Sequence, residues 1–115
     1  MDYRTAARFY AALGSEVRLQ ILELISAHKE MCICELVDQL RLSQANISRH
    51  VSILRDAGII HDRKVGTWVL LRVDEEALRS EFAALLDEIR RRHENSAQVD
   101  AAQRLAERSG RMLSA

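Results

Sequence analysis

The chain has 115 residues, 48% of them apolar, with 4% aromatic residues and no proline. That length supports one small domain with a core that needs no disulfide staples, and the composition favours helices over a sandwich or barrel. The formal net charge of zero argues against a protein that coats nucleic acid indiscriminately.

The N-terminus MDYRTAARFYAAL lacks the basic start, apolar core and cleavage site of a secretory signal, and no stretch approaches the ~18 apolar residues of a membrane span. A cytoplasmic protein with no membrane partner is therefore expected. In that compartment the two cysteines are expected to be reduced, as ligands, sensors or inert packing and not as a structural disulfide. Charge is unevenly spread: residues 41–72 carry 6 basic and 2 acidic side chains, whereas the segments on either side are each net negative. A local positive excess of this kind is what phosphate contacts require.

Tyr3 to Leu13 reads as a first helix, with Ala6, Tyr10 and Leu13 on one stripe and Phe9 nearby. Such a short apolar helix at a chain end frays unless it docks on the body of the fold or on a second subunit. Gly14-Ser15 breaks the pattern, and Val17, Ile21, Leu24 and Ile25 continue it as a core helix. His28, near the end of that helix, is expected as a cap or dipole partner and not as a ligand. In MCICELVDQL, Ile33, Leu36, Val37 and Leu40 form the buried stripe of a third, short helix, and Arg41-Leu42 is a tight connection into the next.

That next helix is LSQANISRHVSILRDAG, Leu42 to Gly58. Ser43 is placed to cap it and Gly58 to end it. At 3.6 residues per turn Ile47, Val51 and Leu54 face inward with His50 beside them, while Gln44, Ala45, Ser48, Arg49 and Ser52 face outward. The outer face is small and polar, and its guanidinium can reach a guanine edge in a major groove. Two short helices joined by a short turn, the second with such a face, make a helix-turn-helix. The turn has no glycine, a departure from the common form.

After Gly58 the period falls to two. Ile59-Ile60 enters a strand, Arg63 to Gly66 is expected as the turn, and Thr67 to Val73 returns with Val69, Leu71 and Val73 on one face. A hairpin behind a helix-turn-helix is a wing, and Arg63 and Lys64 at its expected tip suit a phosphate or a minor groove. Asp74-Glu75-Glu76 then opens a longer helix with Leu78, Phe82, Leu85 and Ile89 as its stripe, ending near Arg90-Arg91-Arg92 as its dipole favours. Leu86 widens that stripe beyond what one small core needs. From Asn95 a weak helix with Val99, Ala102 and Leu105 follows, and the residues from Ser109 are expected to be disordered.

Taken together, SEVRLQIL, CICEL, LSQANISRHVSILRDAGII and DRKVGTWVLLRV resemble, in order and spacing, the signatures of the ArsR/SmtB winged-helix repressors. The likeness is nearest to the arsenic-responsive branch. It implies a homodimer held by the first and last long helices, which places Tyr3, Ala6, Tyr10, Phe82, Leu86 and Ile89 at the dimer interface. It also implies a recognition helix whose Gln44, Ser48, Arg49 and neighbours enter the major groove, and release of the operator when metal binds. The expected fold is mainly α with a small β-hairpin, a homodimeric winged helix-turn-helix in the order α-α-α-α-β-β-α. Residues 1–94 are read as the DNA-binding and dimerisation domain and 95–115 as a weakly structured tail.

The branch is marked by Cys32-Ile33-Cys34 ahead of Glu35-Leu36. Thiolates are the ligands that soft ions select, and a helix N-terminus lowers thiol pKa. In a regular helix residues i and i+2 point about 200° apart, so the two sulfurs are expected to diverge and to hold one ion only if the first turn is distorted or unwound. Metal binding is then expected to deform the helix start and to change the docking angle of the recognition helix, which is fixed to it by the turn at Arg41-Leu42. Many similar arsenic sensors have a third cysteine one turn on, where this chain has Val37. The expectation is a repressor that binds a double-stranded, pseudo-palindromic operator and releases it when As(III) or Sb(III) meets Cys32 and Cys34. No catalytic cofactor is expected.

Response to Cd or Pb, response to thiol redox state, and inert packing of the cysteines are the alternatives at that pair. Against the redox alternative, a C-x-C disulfide is expected to be strained, and no further cysteine is present to resolve a sulfenic acid. A zinc site on the last long helix is not supported, because His93 has no partner at i+3 or i+4. An enzyme is not expected, since no phosphate loop and no nucleophile-base set is present.

Overall fold

The computed structural model describes residues 2–92 and 101–113, with side chains as far as Gly110 in the second segment. His93 and Val99 lie outside the described residues. The elements in chain order are α1 (Tyr3–Leu13), α2 (Glu16–His28), α3 (Ile33–Leu40), α4 (Gln44–Asp56), β1 (Ile60–Val65), β2 (Trp68–Val73), α5 (Glu75–Arg91) and α6 (Ala101–Leu113).

Short polar side chains set the helix starts. Asp2, Ser15, Ser43 and Asp74 each accept a backbone N–H of the first turn, at 3.1, 3.3, 3.1 and 2.9 Å, satisfying donors that have no partner inside the helix. Gly58, at φ 77°, closes α4 in a Schellman arrangement. The Ile59 N–H donates to the Leu54 carbonyl at 3.0 Å and the Gly58 N–H to the Arg55 carbonyl at 2.9 Å, and Ile59 is thereby turned into the core. Between α3 and α4 the left-handed residue is Arg41, at φ 57°. The glycine missing from this turn is thus replaced by an arginine that carries the backbone strain itself.

The core joins Phe9 and Ala12 of α1 to Ile21, Leu22 and Ile25 of α2, Leu36 of α3, Ile47, Val51 and Leu54 of α4, and Ile59, Ile60, Leu71 and Met31 around the hairpin. The inward face of α4 is as the periodicity predicts: Ile47, Val51 and Leu54 are all fully buried. Arg18 stitches three elements together. It donates from Nε to the Ala12 carbonyl at 2.6 Å, from Nη2 to the Ala11 carbonyl at 3.3 Å and from Nη1 to His50 Nδ1 at 3.0 Å.

An arginine can only donate, so His50 must accept at Nδ1 and is held neutral. Burial, and then the Arg18 and Arg49 charges, push its pKa below the ordinary 6.5. The unfolded chain therefore binds the His50 proton more readily than the folded one. The contribution is present above about pH 6.5 and is lost as pH falls toward the depressed folded value. Urea midpoints should drop between pH 7.5 and pH 5 in the wild type by more than in His50→Gln, which keeps an acceptor but does not titrate. Equal drops would show that His50 is not the group responsible.

The two strands pair antiparallel in the register Ile60↔Val73 to Val65↔Trp68. This corrects the expected turn. Only Gly66 and Thr67 lie between the strands, with Gly66 at φ 62°, so Arg63 and Lys64 sit inside β1 and not at the tip. Two-residue hairpin turns follow the strand twist and favour glycine at a position of positive φ. The tip is instead Val65, Gly66, Thr67 and Trp68, all exposed. At its root the hairpin is pinned on several sides. Met31 makes an isolated bridge to Leu71, Arg55 pairs with Asp62 at 3.1 Å, and His61 Nε2 meets Asp74 at 2.8 Å.

Helix α5 has no buried residue in the single chain. Helix α6 runs on to Leu113, correcting the expectation of disorder from Ser109. No helix among the described residues is long and apolar enough to cross a membrane.

Candidate nucleic-acid interface and dithiol site

The outward face of α4 carries the residues expected there. Gln44, Ala45, Arg49 and Ser52 are exposed and Ser48 is half-buried. Ser43 Oγ accepts the Asn46 N–H, which leaves its O–H free to donate outward. Arg49 Nη2 donates to Asn46 Oδ1 at 3.1 Å, an i, i+3 contact that holds the guanidinium along the helix surface before any ligand arrives. Asn46 is a contributor that the periodicity reading missed. Its signal was the three-residue spacing to Arg49.

The two basic residues of β1 differ in their surroundings. Arg63 is held in a two-pronged pair with Glu30, Nε to Oε2 at 3.0 Å and Nη2 to Oε1 at 2.7 Å. That hydrogen-bonded guanidinium keeps the Glu30 carboxyl below its ordinary pKa. Lys64 is exposed, in register with Val69 across the hairpin. Trp68, 59% exposed, stands at the tip where Arg63 and Lys64 were expected.

The cysteines occupy unequal positions. Cys32 is the N-cap of α3, with extended backbone at φ −87° and ψ 164°, and is 7% exposed. Cys34 lies in the first turn and is exposed. Because Cys32 stands outside the helix, the two side chains converge without any distortion of the first turn, which corrects the expectation that they must diverge. They are in fact joined as a disulfide, Cα to Cα 5.4 Å, contrary to the expected reduced pair. Glu35 Oε1 accepts the Cys32 N–H at 3.0 Å, so this carboxylate is already engaged in capping. Among the described residues no group of three His, Cys, Asp or Glu side chains is arranged to hold a metal. Val37, where a third cysteine is common, is half-buried against the core.

Comparison with known proteins bears on what this arrangement serves. The sequence profile of bacterial regulatory proteins of the arsR family matches residues 15–62. An uncharacterised HTH-type transcriptional regulator of Methanocaldococcus jannaschii is 38% identical over 87 residues, covering 76% of this chain and 97% of that protein. The chain belongs to the arsR family.

Membership makes it a DNA-binding transcriptional repressor and not an enzyme. The arsenical resistance operon repressor of Escherichia coli is 40% identical over 73 residues, and the match covers 64% of this chain but 62% of that relative. Among solved structures, the homodimeric winged helix-turn-helix domain of Mb0332 from Mycobacterium bovis superposes with a TM-score of 0.61. It is 24% identical and covers 76% of this chain and 82% of that one.

The α1 and α5 pair carries exposed apolar and aromatic side chains. Phe82, Leu86 and Ile89 are 59, 48 and 48% exposed along one side of α5. Tyr10 packs against Phe82 in a tilted contact with ring centroids 5.6 Å apart, and Arg92 lies over the Tyr3 ring at 3.8 Å. These put five of the six residues expected at the dimer interface, Tyr3, Tyr10, Phe82, Leu86 and Ile89, on the α1 and α5 pair. Ala6 differs: it is buried within the chain at 3% exposure and presents no surface to a partner.

Proposed function

We propose that this repressor is a homodimer that reads a pseudo-palindromic operator and releases it when As(III) or Sb(III) is held by Cys32 and Cys34. The carrying observation is the convergence of the two sulfurs at the start of α3, with Cys32 as N-cap and Cys34 open to solvent. Once reduced, the pair offers two soft donors at a helix N-terminus, which favours the thiolate forms. Arsenite, As(OH)₃, would condense with two thiols and release two waters; a small thiol or retained hydroxide completes the coordination, since among the described residues no group of three His, Cys, Asp or Glu side chains is placed to hold a metal. The E. coli relative's role in arsenical resistance supports the choice of ion. A cytoplasmic setting, where glutathione keeps thiols reduced, belongs to the same proposal. So does the division into a DNA-binding and dimerisation unit, 1–94, and a tail, 95–115.

Dimerisation is supported by the contiguous exposed apolar face of α5, Phe82, Leu86 and Ile89, and by recognition itself. One short helix covers too few base pairs for useful specificity, so half-sites about one turn apart are expected. Within the interface, Ser43, Gln44, Ala45, Ser48, Arg49 and Ser52 face the major groove, and Lys64, exposed on β1, meets phosphate. Arg49→Ala should weaken operator binding by ~1–3 kcal/mol and relax discrimination, whereas Lys64→Ala should weaken all duplexes alike. Equal losses for Arg49→Ala on selected and random duplex would make Arg49 a phosphate contact only.

The joined cysteines favour a second reading, in which oxidation to the disulfide is itself the signal. One experiment separates the two. A duplex selected by the protein from a random pool is titrated anaerobically with excess phosphine reductant, then challenged with As(III). Release under these conditions supports the metalloid reading. Release only after a thiol oxidant, with none by As(III), supports the redox reading.

A further inference from the structure

The backbone that carries Cys32 is tied to the hairpin more directly than to the recognition helix. Met31, one residue before it and 1% exposed, exchanges both backbone hydrogen bonds with Leu71 of β2, at 3.1 and 2.8 Å. Glu30, one residue earlier, grips Arg63 of β1 through two contacts. The link from Cys32 to α4, by contrast, runs through the packing of α3 on α4 in the core around Leu36. The Glu30–Arg63 pair is neutral as a unit, and two of the guanidinium donors are spent on the carboxylate. In this structure, where the cysteine pair is closed, a phosphate would meet Arg63 with its charge offset by Glu30 and two of its five donors already spent.

We propose that Glu30 is a positioning residue that reports the state of the Cys32–Cys34 pair to DNA through Arg63. With the pair closed, Glu30 holds Arg63; with the pair open, Glu30 shifts with Met31 and Arg63 is released to a phosphate. The proposal rests on the reading of these cysteines as the sensing pair, but not on which agent closes them. Closure by As(OH)₃ releases two waters, and closure to the disulfide passes two electrons and two protons to diamide, which becomes the hydrazine.

The test uses the full-length protein and a duplex it selects from a random pool, with affinity measured across a salt series in open and closed states. Each phosphate contact adds about 0.9 to the log-log salt slope on duplex DNA. In the wild type, closing the pair should lower affinity and flatten the slope by about one unit per subunit. In Glu30→Gln, which frees Arg63 in both states, the slope should stay steep on closing and the affinity ratio between states should shrink several-fold. Arsenic binding, read by sulfur-to-metal absorbance, and the melting temperature should remain near wild type. Arg63→Gln should give the shallow slope in both states.

A wild-type ratio and slope change in Glu30→Gln would overturn the proposal alone. A wild type indifferent to both As(III) and diamide would overturn the sensing reading and this proposal with it.

Discussion

Cys32→Ser and Cys34→Ser should each leave duplex binding close to wild type and make it insensitive to As(III). The fold does not need either thiol. Cys32 is the N-cap of α3, a position that serine fills better than cysteine because its hydroxyl oxygen accepts the first-turn N–H groups. Cys34 is exposed, and the apolar side of α3, centred on the fully buried Leu36, is untouched by either change. Response should vanish because a lone thiolate loses its chelate partner, and a serine hydroxyl is a poor ligand for a soft ion near neutral pH. The assay is release of a selected duplex under anaerobic conditions with excess reductant, so that oxidation cannot substitute for the ion. Release by either variant at the wild-type As(III) concentration would place the effector site elsewhere.

Ile47→Ala should have the largest effect on stability, about 2–5 kcal/mol, through lost burial and the cavity left behind. Ile47 is fully buried in the first half of α4, where it seats the recognition helix on the core. Ile53, on the same helix but 38% exposed, provides the control, and Ile53→Ala should cost less than about 1 kcal/mol. Urea unfolding at one fixed protein concentration checks both, because dimerisation makes apparent stability concentration-dependent. A loss at Ile47 no greater than at Ile53 would mean that the inward face of α4 is not what anchors it.

The contrast between these two isoleucines was legible in the sequence, since a period of 3.6 over Ile47, Val51 and Leu54 is strong and local. The same holds for the cap at Ser43. The hairpin turn was misplaced because Arg63-Lys64 looks like turn composition, while the decisive signal was Gly66, the residue in that run best suited to the positive φ of a two-residue turn. The start of α3 turned on a single residue: periodicity cannot tell whether Cys32 is the first helical residue or the cap, yet that shift decides whether two sulfurs diverge or meet. The Glu30–Arg63 and Arg18–His50 contacts join residues 33 and 32 apart, and no local pattern encodes pairs at that distance. Helix α6 was undervalued because its Ala101-Ala102 start and Leu105 stripe are weak signals beside the polar residues around them.

The central claim is that the two thiols of one chain hold the ion whose binding releases DNA. Anaerobic titration of the reduced wild-type protein, already bound to a fluorescent selected duplex, with As(III) tests it by following sulfur-to-metal absorbance and anisotropy in the same cuvette. Both signals should change together and saturate at one As(III) per chain. Absorbance that saturates with the duplex still bound, or release without any sulfur-to-metal band, would contradict it.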